Sequence, residues 1–416
     1  IKEDAGKILV GIFEGNSILA WDKTNRVPED FSFGEFQENF EHFEPYLASA
    51  IKRFPVLETA GIRKFFSGPE SFTPDTNTLL GEVPEIKNFF VCCGLNSIGI
   101  GSGGGVGKVT AEWLMTGHIN QDIFSYDIKR FQKFHSDLGF IKKRITESLG
   151  DLYGMHWPFK QHKTSRNIKI LPHHDNLKSF GACFGVSAGY ERPMWFALDG
   201  EKSEYEYSYN YQNWYPSAEY ETNNTIKNVG LFDLTPFSKF EIKSDKAYQE
   251  LQRICTANIK NEIGKCTYTH MLNNDGGIET DLTVICVDQN HFRIISSAAT
   301  RERDKFHINK HLSGGVELID ITDDYCVFGL FGPKSRDLIK TISKDNFDND
   351  SFKFGTAKYI TIDGVKIWAQ RLSYVGELGY ELYVEFDEAK KIYELLIEKG
   401  KDFNLSNCGM HAMDIM

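Results

Sequence analysis

The stretch YTHMLNNDGGIETDLTV, residues 268–284, restricts the possible folds more than any other part of the chain. An Asn-Asn-Asp-Gly-Gly turn separates two apolar runs, and a turn of that chemistry between strand-like segments makes a β-hairpin. The second arm carries Glu279 and Asp281 in sequence that otherwise suits a buried strand. Their spacing of two gives them the same face parity, which predicts both on the solvated side. The hairpin belongs to a longer alternation. From Val229 onward the strand-like runs GLFDLTPFSKFEI, THMLNN, ETDLTVICV, HFRIISSA, CVFGLFGP and VKIWAQRLSY are interrupted by helical periods near 245–256, 301–312, 333–343 and 387–400. That order predicts a mixed α+β domain.

The first half of the chain is less regular. FGEFQENFEHFEPYLASAIKRF has apolar positions recurring at three and four, and Pro55 closes it as a helix. After the short strand-like run FFVCC comes GIGSGGGVGK, residues 99–108. A phosphate loop of the G-x-x-x-x-G-K-[ST] kind fails here, because Ser102 stands where glycine is needed and Val109 follows Lys108. Gly99, Gly101 and Gly104 satisfy G-x-G-x-x-G, yet HINQDIFSYDIKRF does not form the acid-ending strand that a dinucleotide fold requires next. The remaining reading is a glycine-rich loop leading into a helix from about Val106 to Met115, ended by Gly117. Six glycines within nine residues exceed what a turn needs and let the backbone approach a flat polar ligand at a helix N-terminus. From about 125 to 225 the periodicity fades into long loops, with SEYEYSYNYQNWY predicted as an extended segment with one aromatic face.

A length of 416 residues points to two or three domains. The net charge of -11 argues against a general nucleic-acid surface. No apolar run is long enough for a membrane span, and no signal-peptide pattern opens the chain. Eight cysteines without a CxxC pair predict buried free thiols in a reducing compartment, with neither a disulfide frame nor a metal site.

The segment TPDTNTLLGEVPEIKNFF followed by the glycine-rich loop resembles the C-terminal return of the flavin domain in FAD-dependent amine oxidases of the dimethylglycine/sarcosine dehydrogenase family. The resemblance implies flavin contacts near Gly101, Gly103, Gly104 and Gly105. GLFDLTPFSKFEI, YTHMLNNDGGIETDLTV and RLSYVGELGYELYV together resemble the folate-binding domain of glycine-cleavage aminomethyltransferases, the T-protein family. In that family an aspartate follows a Gly-Gly turn thirteen residues after a tyrosine, and an Arg-x-x-Tyr-x-Gly-Glu loop lies further on. Asp281, Tyr268 and RLSYVGE match in that order.

The resemblance implies a multidomain chain of α/β and α+β class: the C-terminal part of a FAD-dependent amine oxidoreductase domain, then a T-protein-like folate-binding α+β domain. The expected boundaries are 1–135, a central connecting domain at 136–190, and an incomplete aminomethyltransferase-like domain at 191–416, with the chain truncated at both ends. The implied activity is oxidative demethylation of an N-methyl amine such as dimethylglycine or sarcosine by FAD, with the carbon passed to tetrahydrofolate as 5,10-methylenetetrahydrofolate. Asp281 would act as the catalytic acid–base group, Glu377 would read the pterin edge, and Tyr268 and Tyr374 would line the ring slot. Electrons would leave to an electron-transfer flavoprotein or oxygen, in bacterial cytoplasm or the mitochondrial matrix. Two other readings remain open: a non-catalytic relative of the pyruvate dehydrogenase phosphatase regulatory subunit, and a flavin-free aminomethyltransferase.

Overall fold

The chain divides after Ser165 into two units, and the computed structural model describes every residue except Asn16 and Asn120. Unit 1 opens with a small hairpin, β1 (Lys2–Asp4) and β2 (Lys7–Leu9). Helix α1 (Phe40–Arg53) starts at Asn39, whose side chain accepts the His42 N–H, and none of its residues is fully buried. Strands β3 (Leu79–Glu82) and β4 (Phe90–Cys93) pair antiparallel ahead of α2 (Gly99–Thr116). Trp113 of α2 packs on Gly81, where φ is +110° and a Cβ would lie 2.3 Å from the indole, so only glycine fits. Helix α3 (Leu138–Asp151) is capped by Asp137, which accepts from the Phe140 N–H. Arg130 clamps Asp75 through Nε (2.6 Å) and Nη2 (3.0 Å), pinning the turn before β3.

Two sequence expectations change here. The glycines of 99–105 are not a loop: the helix begins at Gly99 and Gly117 ends it with φ +78°. Glycine disfavours a helix by about 1 kcal/mol against alanine but does not forbid one. Cys92 and Cys93, paired with β3 in a two-stranded sheet, are exposed, whereas the other free thiols are buried or half-buried.

Unit 2 begins with α4 (His174–Ser179), the hairpin of β5 (Ala182–Ser187) and β6 (Tyr190–Phe196), and α5 (Tyr215–Lys227). Between them SEYEYSYNYQNWY forms no strand; Tyr205 and Tyr207 stack at 5.5 Å while Tyr209 and Tyr211 face solvent. Strands β7 (Val229–Asp233) and β8 (Ser238–Lys243) then start two different sheets. Around β8 gather α6 (Ala247–Ile254), β9 (Cys266–Leu272), β10 (Ile278–Asp288), β11 (His291–Ser296), α7 (Arg301–His311) and β12 (Leu318–Asp320). They give an antiparallel sheet of order β12-β8-β11-β10-β9. Around β7 gather β13 (Tyr325–Phe331), α8 (Ser335–Ile342), β14 (Thr356–Ile362), β15 (Val365–Arg371), β16 (Gly379–Glu385), α9 (Ala389–Gly400), β17 (Leu405–Cys408) and α10 (Met410–Ile415). Their sheet has the order β14-β15-β16-β13-β7-β17, with β17 parallel to β7.

The sheets stack face to face with helices outside. Ala247, Leu251 and Ile308 from α6 and α7 pack on Phe240, Leu282, Val284 and Ile294. Leu338, Ile392 and Leu396 from α8 and α9 cover Phe328, Leu382 and Val384. Between the sheets lie Ile285, Val287, Val327, Phe331, Trp368, Val375 and Tyr383. Each such side chain contributes roughly 1.5–3 kcal/mol by leaving water. Both faces of β10 are therefore covered from Leu282 onward, which is why that strand reads apolar at odd and even positions. No helix among the described residues is long and apolar enough to cross a membrane.

Candidate functional site

The β9–β10 hairpin places its polar residues by register. Asp281 lies directly opposite His270, and Thr283 opposite Tyr268. Tyr268 and Asp281 are thus diagonal neighbours on one face, and the Tyr268 hydroxyl donates to Asp281 Oδ2 at 3.0 Å. That bond, accepted by the carboxylate, raises the Tyr268 pKa. Asp281 is exposed and Tyr268 is 61% exposed. An acid can stand at the start of this core strand because Asp281 is exposed just ahead of the buried run that begins at Leu282.

Glu279 behaves differently from its expected parity. The ladder shifts between Ile278 and Thr280, a β-bulge at Glu279. The extra residue turns Glu279 toward α7, where Arg303 Nη2 meets its carboxylate at 2.8 Å. Thr280 reaches Asp304 on the same helix. Glu279 and Asp281 therefore leave opposite faces of the hairpin.

The loop between β15 and β16 supplies the facing side. Tyr374, 60% exposed, packs on Phe237 with ring centroids 5.9 Å apart. It lies close enough to act electrostatically on both Tyr268 and Arg192. Gly376 turns this loop with φ +82°, and Glu377 follows it, half-buried. Tyr268, Asp281 and Tyr374 are brought together; no hydrogen bond or ion pair among the described residues joins Glu377 to them.

Two residues that sequence reasoning does not single out stand beside this group. Glu381, the cross-strand partner of Gln370, points between the sheets and receives the Tyr383 hydroxyl at 3.0 Å. Burial raises its pKa to about 7, against the lowering effect of that hydrogen bond. Gln370 is fully buried, and neither of its amide atoms has a partner among the described residues. Cys266 senses the Glu381 charge, and Cys266, Tyr268 and His270 share one face of β9 by period two. The polar positions thus run from half-buried Glu381 past Cys266 to Tyr268, Asp281 and His270 at the open end, a track of about 13 Å along the strand. Arg192 is buried behind Tyr374, donating Nε to the Asp233 carbonyl at 3.1 Å, and its charge is opposed by burial and favoured by Asp233, Asp414 and Tyr374.

The four glycines singled out in unit 1 lie on α2. Gly101, Gly103, Gly104 and Gly105 are solvent-facing, and a Cβ at any of them would meet nothing within 4 Å. The helical ladder starts with the Ser102 N–H on the Ile98 carbonyl at 2.9 Å. Of the four, only Gly101 keeps its amide ahead of that ladder. Gly104 and Gly105 share with Gly101 one helix face free of Cβ atoms, and Gly103 lies on the opposite side.

Residues 173–416 match the GCVT N-terminal domain, 116–170 the FAD dependent oxidoreductase central domain, and 2–113 the FAD dependent oxidoreductase family. The chain is 36% identical over its whole length to half of a 4-methylaminobutanoate oxidase (formaldehyde-forming) of Paenarthrobacter nicotinovorans. Over 97% of its length it is 32% identical to 48% of human mitochondrial sarcosine dehydrogenase. Over its whole length it is 27% identical to 49% of rat mitochondrial dimethylglycine dehydrogenase. The chain spans about half the length of each of these relatives.

Proposed function

This chain belongs to the dimethylglycine/sarcosine dehydrogenase family, in which FAD-dependent oxidoreductase domains precede a GCVT domain, and from that premise we propose that the protein oxidatively demethylates a small N-methyl amine and hands the carbon to tetrahydrofolate. The observation that carries the reading is the Tyr268–Asp281 pair at 3.0 Å facing Tyr374, continuous with half-buried Glu381 and buried Gln370.

These residues fit a pteridine. Gln370 has an unsatisfied donor and acceptor in a buried place, the complement of a heterocycle edge that carries both. Glu377 and Glu381 supply carboxylates on the same hairpin for an amino and ring N–H edge. Tyr268 and Tyr374 offer aromatic faces to the ring. Asp281, held in orientation by the Tyr268 hydroxyl, takes the proton from the nitrogen that closes the new ring and balances positive charge as the carbon is transferred. In unit 1 the Cβ-free face of α2 at Gly101, Gly104 and Gly105 fits a flat ring system resting on backbone, while Gly103 lies on the far side of the helix. Gly101, Gly104 and Gly105 would hold the ring of FAD, which would supply a hydride acceptor for the N-methyl carbon.

The test is a partition experiment on the full-length protein. Sarcosine, dimethylglycine and 4-methylaminobutanoate are each supplied with tetrahydrofolate and an aldehyde scavenger. The expected result is a yellow protein, reduced by at least one of the three amines, that forms methylenetetrahydrofolate despite the scavenger. A colourless, correctly folded protein removes the oxidoreductase reading. A yellow protein that releases all its carbon to the scavenger removes the folate reading.

A further inference from the structure

His270 faces Asp281 directly across the β9–β10 ladder. In such a pair the Cβ atoms lie about 4.5–5.5 Å apart, so the two side chains share one small space. The imidazole also meets the Tyr268 ring edge-on, with centroids 5.4 Å apart and planes at 73°, and Tyr268 is the donor to Asp281. His270 is half-buried. Its backbone is fixed by Thr256, whose N–H donates to the His270 carbonyl at 3.0 Å and whose hydroxyl accepts the His270 N–H at 3.3 Å. Its ring nitrogens make no hydrogen bond to any described residue. The titratable groups facing it are Asp281 from β10, Tyr268 from its own strand and, beyond Tyr268, Tyr374 from the β15–β16 loop. The packed segment before β9 contributes Thr256 and no charge.

One-carbon transfer to tetrahydrofolate needs two protons handled at once. Joining a carbon at the formaldehyde level to two nitrogens forms two C–N bonds and breaks two C–O bonds. Two N–H protons are lost, and the oxygen leaves as water. No electrons are gained or lost. A carboxylate serves the side that takes a proton; it cannot, while ionised, deliver one to the departing oxygen. Resting on the reading of this site given above, we infer that His270 is the second acid–base group of the folate step: its imidazolium gives a proton to the leaving oxygen while Asp281 takes one from the ring-closing nitrogen. Proton passage from Asp281 to His270 across the ladder then restores both. Among side chains, histidine alone changes charge near neutral pH without a large perturbation, and here it is set against the acid by strand register.

Two measurements on the full-length, flavin-loaded protein decide this. The first is the pH profile of methylenetetrahydrofolate formation with a scavenger present, referred to the rate of flavin reduction by the amine. Wild type should lose folate product on the alkaline side of the profile, because the proton donor acts only while charged. His270→Asn and His270→Gln should lower product formation tenfold or more and abolish that alkaline limb, with tetrahydrofolate affinity unchanged. The second uses wild type. Diethyl pyrocarbonate, which acylates imidazole, should stop folate product while flavin reduction by the amine continues, with the adduct mapped to His270 and its formation slowed by bound tetrahydrofolate. An intact alkaline limb in both His270 variants overturns the inference, as does undiminished folate product from protein acylated at His270. If Asp281→Asn makes folate product at the wild-type rate while the His270 variants lose it, the reading of the site as a folate centre built on that acid has failed. If the His270 variants do not fold, the acylated wild type decides the question by itself.

Discussion

The glycine helix of unit 1 and the β9–β10 hairpin of unit 2 are the two stretches where this chain departs from ordinary core sequence, and the roles proposed for them rest on opposite means. On α2 the chemistry is an absence of side chain, an open backbone surface with nothing within 4 Å of a Cβ at Gly101, Gly103, Gly104 or Gly105. On the hairpin the chemistry is side chain throughout, with Tyr268, His270 and Asp281 set by register. Their surroundings differ too. Among the described residues of unit 1 the fully buried apolar side chains are Leu80, Trp113, Phe140 and Leu149. The hairpin, in contrast, rests on two cores, one under each face of β10. A backbone surface tolerates a looser support, because any helix presents it. A diagonal Tyr–Asp pair survives only where the strand pairing cannot slip, since a one-residue shift would send Asp281 to the other face.

The contrast breaks first at Asp281. Asp281→Asn keeps the shape and the Tyr268 contact and removes the proton acceptor. Folate product formation should fall by about 10²–10⁴ while flavin reduction by the amine stays near the wild-type rate in stopped-flow measurement. Equal loss of both would mean that the two stretches are not functionally separate. Next in size is Glu377→Ala, which should weaken tetrahydrofolate binding by roughly 1.5–3 kcal/mol, the usual value for hydrogen bonds to a charged group. Calorimetry giving an unchanged affinity would leave the pterin edge to Glu381 alone.

Glu381 gives a smaller, pH-dependent effect. Its folded pKa is raised to about 7 from 4.5 by burial. A group raised in the folded state contributes its stability below the unfolded value and loses it as pH rises through the folded one. Wild type should therefore lose stability between about pH 4.5 and pH 7 relative to Glu381→Gln. The melting-temperature difference, variant minus wild type, should grow from about pH 5 to about pH 8. A constant difference would mean that Glu381 is solvated and not part of the inner end of the track.

How much of this the sequence disclosed follows from which interactions are local. The hairpin is legible because turn chemistry and period two are local, and Tyr268 with Asp281 follows from a matched motif. The bulge at Glu279 is not, since one extra residue leaves the composition unchanged yet reverses the face. Glu381 reads as the polar alternate in GYELYV; only the stacking of a second sheet makes that face interior. His270 reads as an ordinary strand residue until the register sets it opposite Asp281. The glycine helix differs from its expected loop for the converse reason. Local propensity disfavours a helix there, and the ladder from Ser102 onward overrides it.

That override sets up the finest test. Gly104 is an interior position of α2 where a methyl group meets nothing. Gly104→Ala should therefore stabilise the helix in the flavin-free protein by about 0.5–1 kcal/mol, read as slower amide exchange along α2. If glycine is kept there only because the local sequence is permissive, the substitution should help the flavin-loaded protein equally. If the bare backbone is a contact surface, the same methyl group stands between helix and ring, and flavin should dissociate faster although the free helix is firmer. Opposite signs in the two forms would tie the glycines to the flavin. Gains of the same sign would return them to plain helix, and the chemistry of this chain would then rest on the hairpin alone.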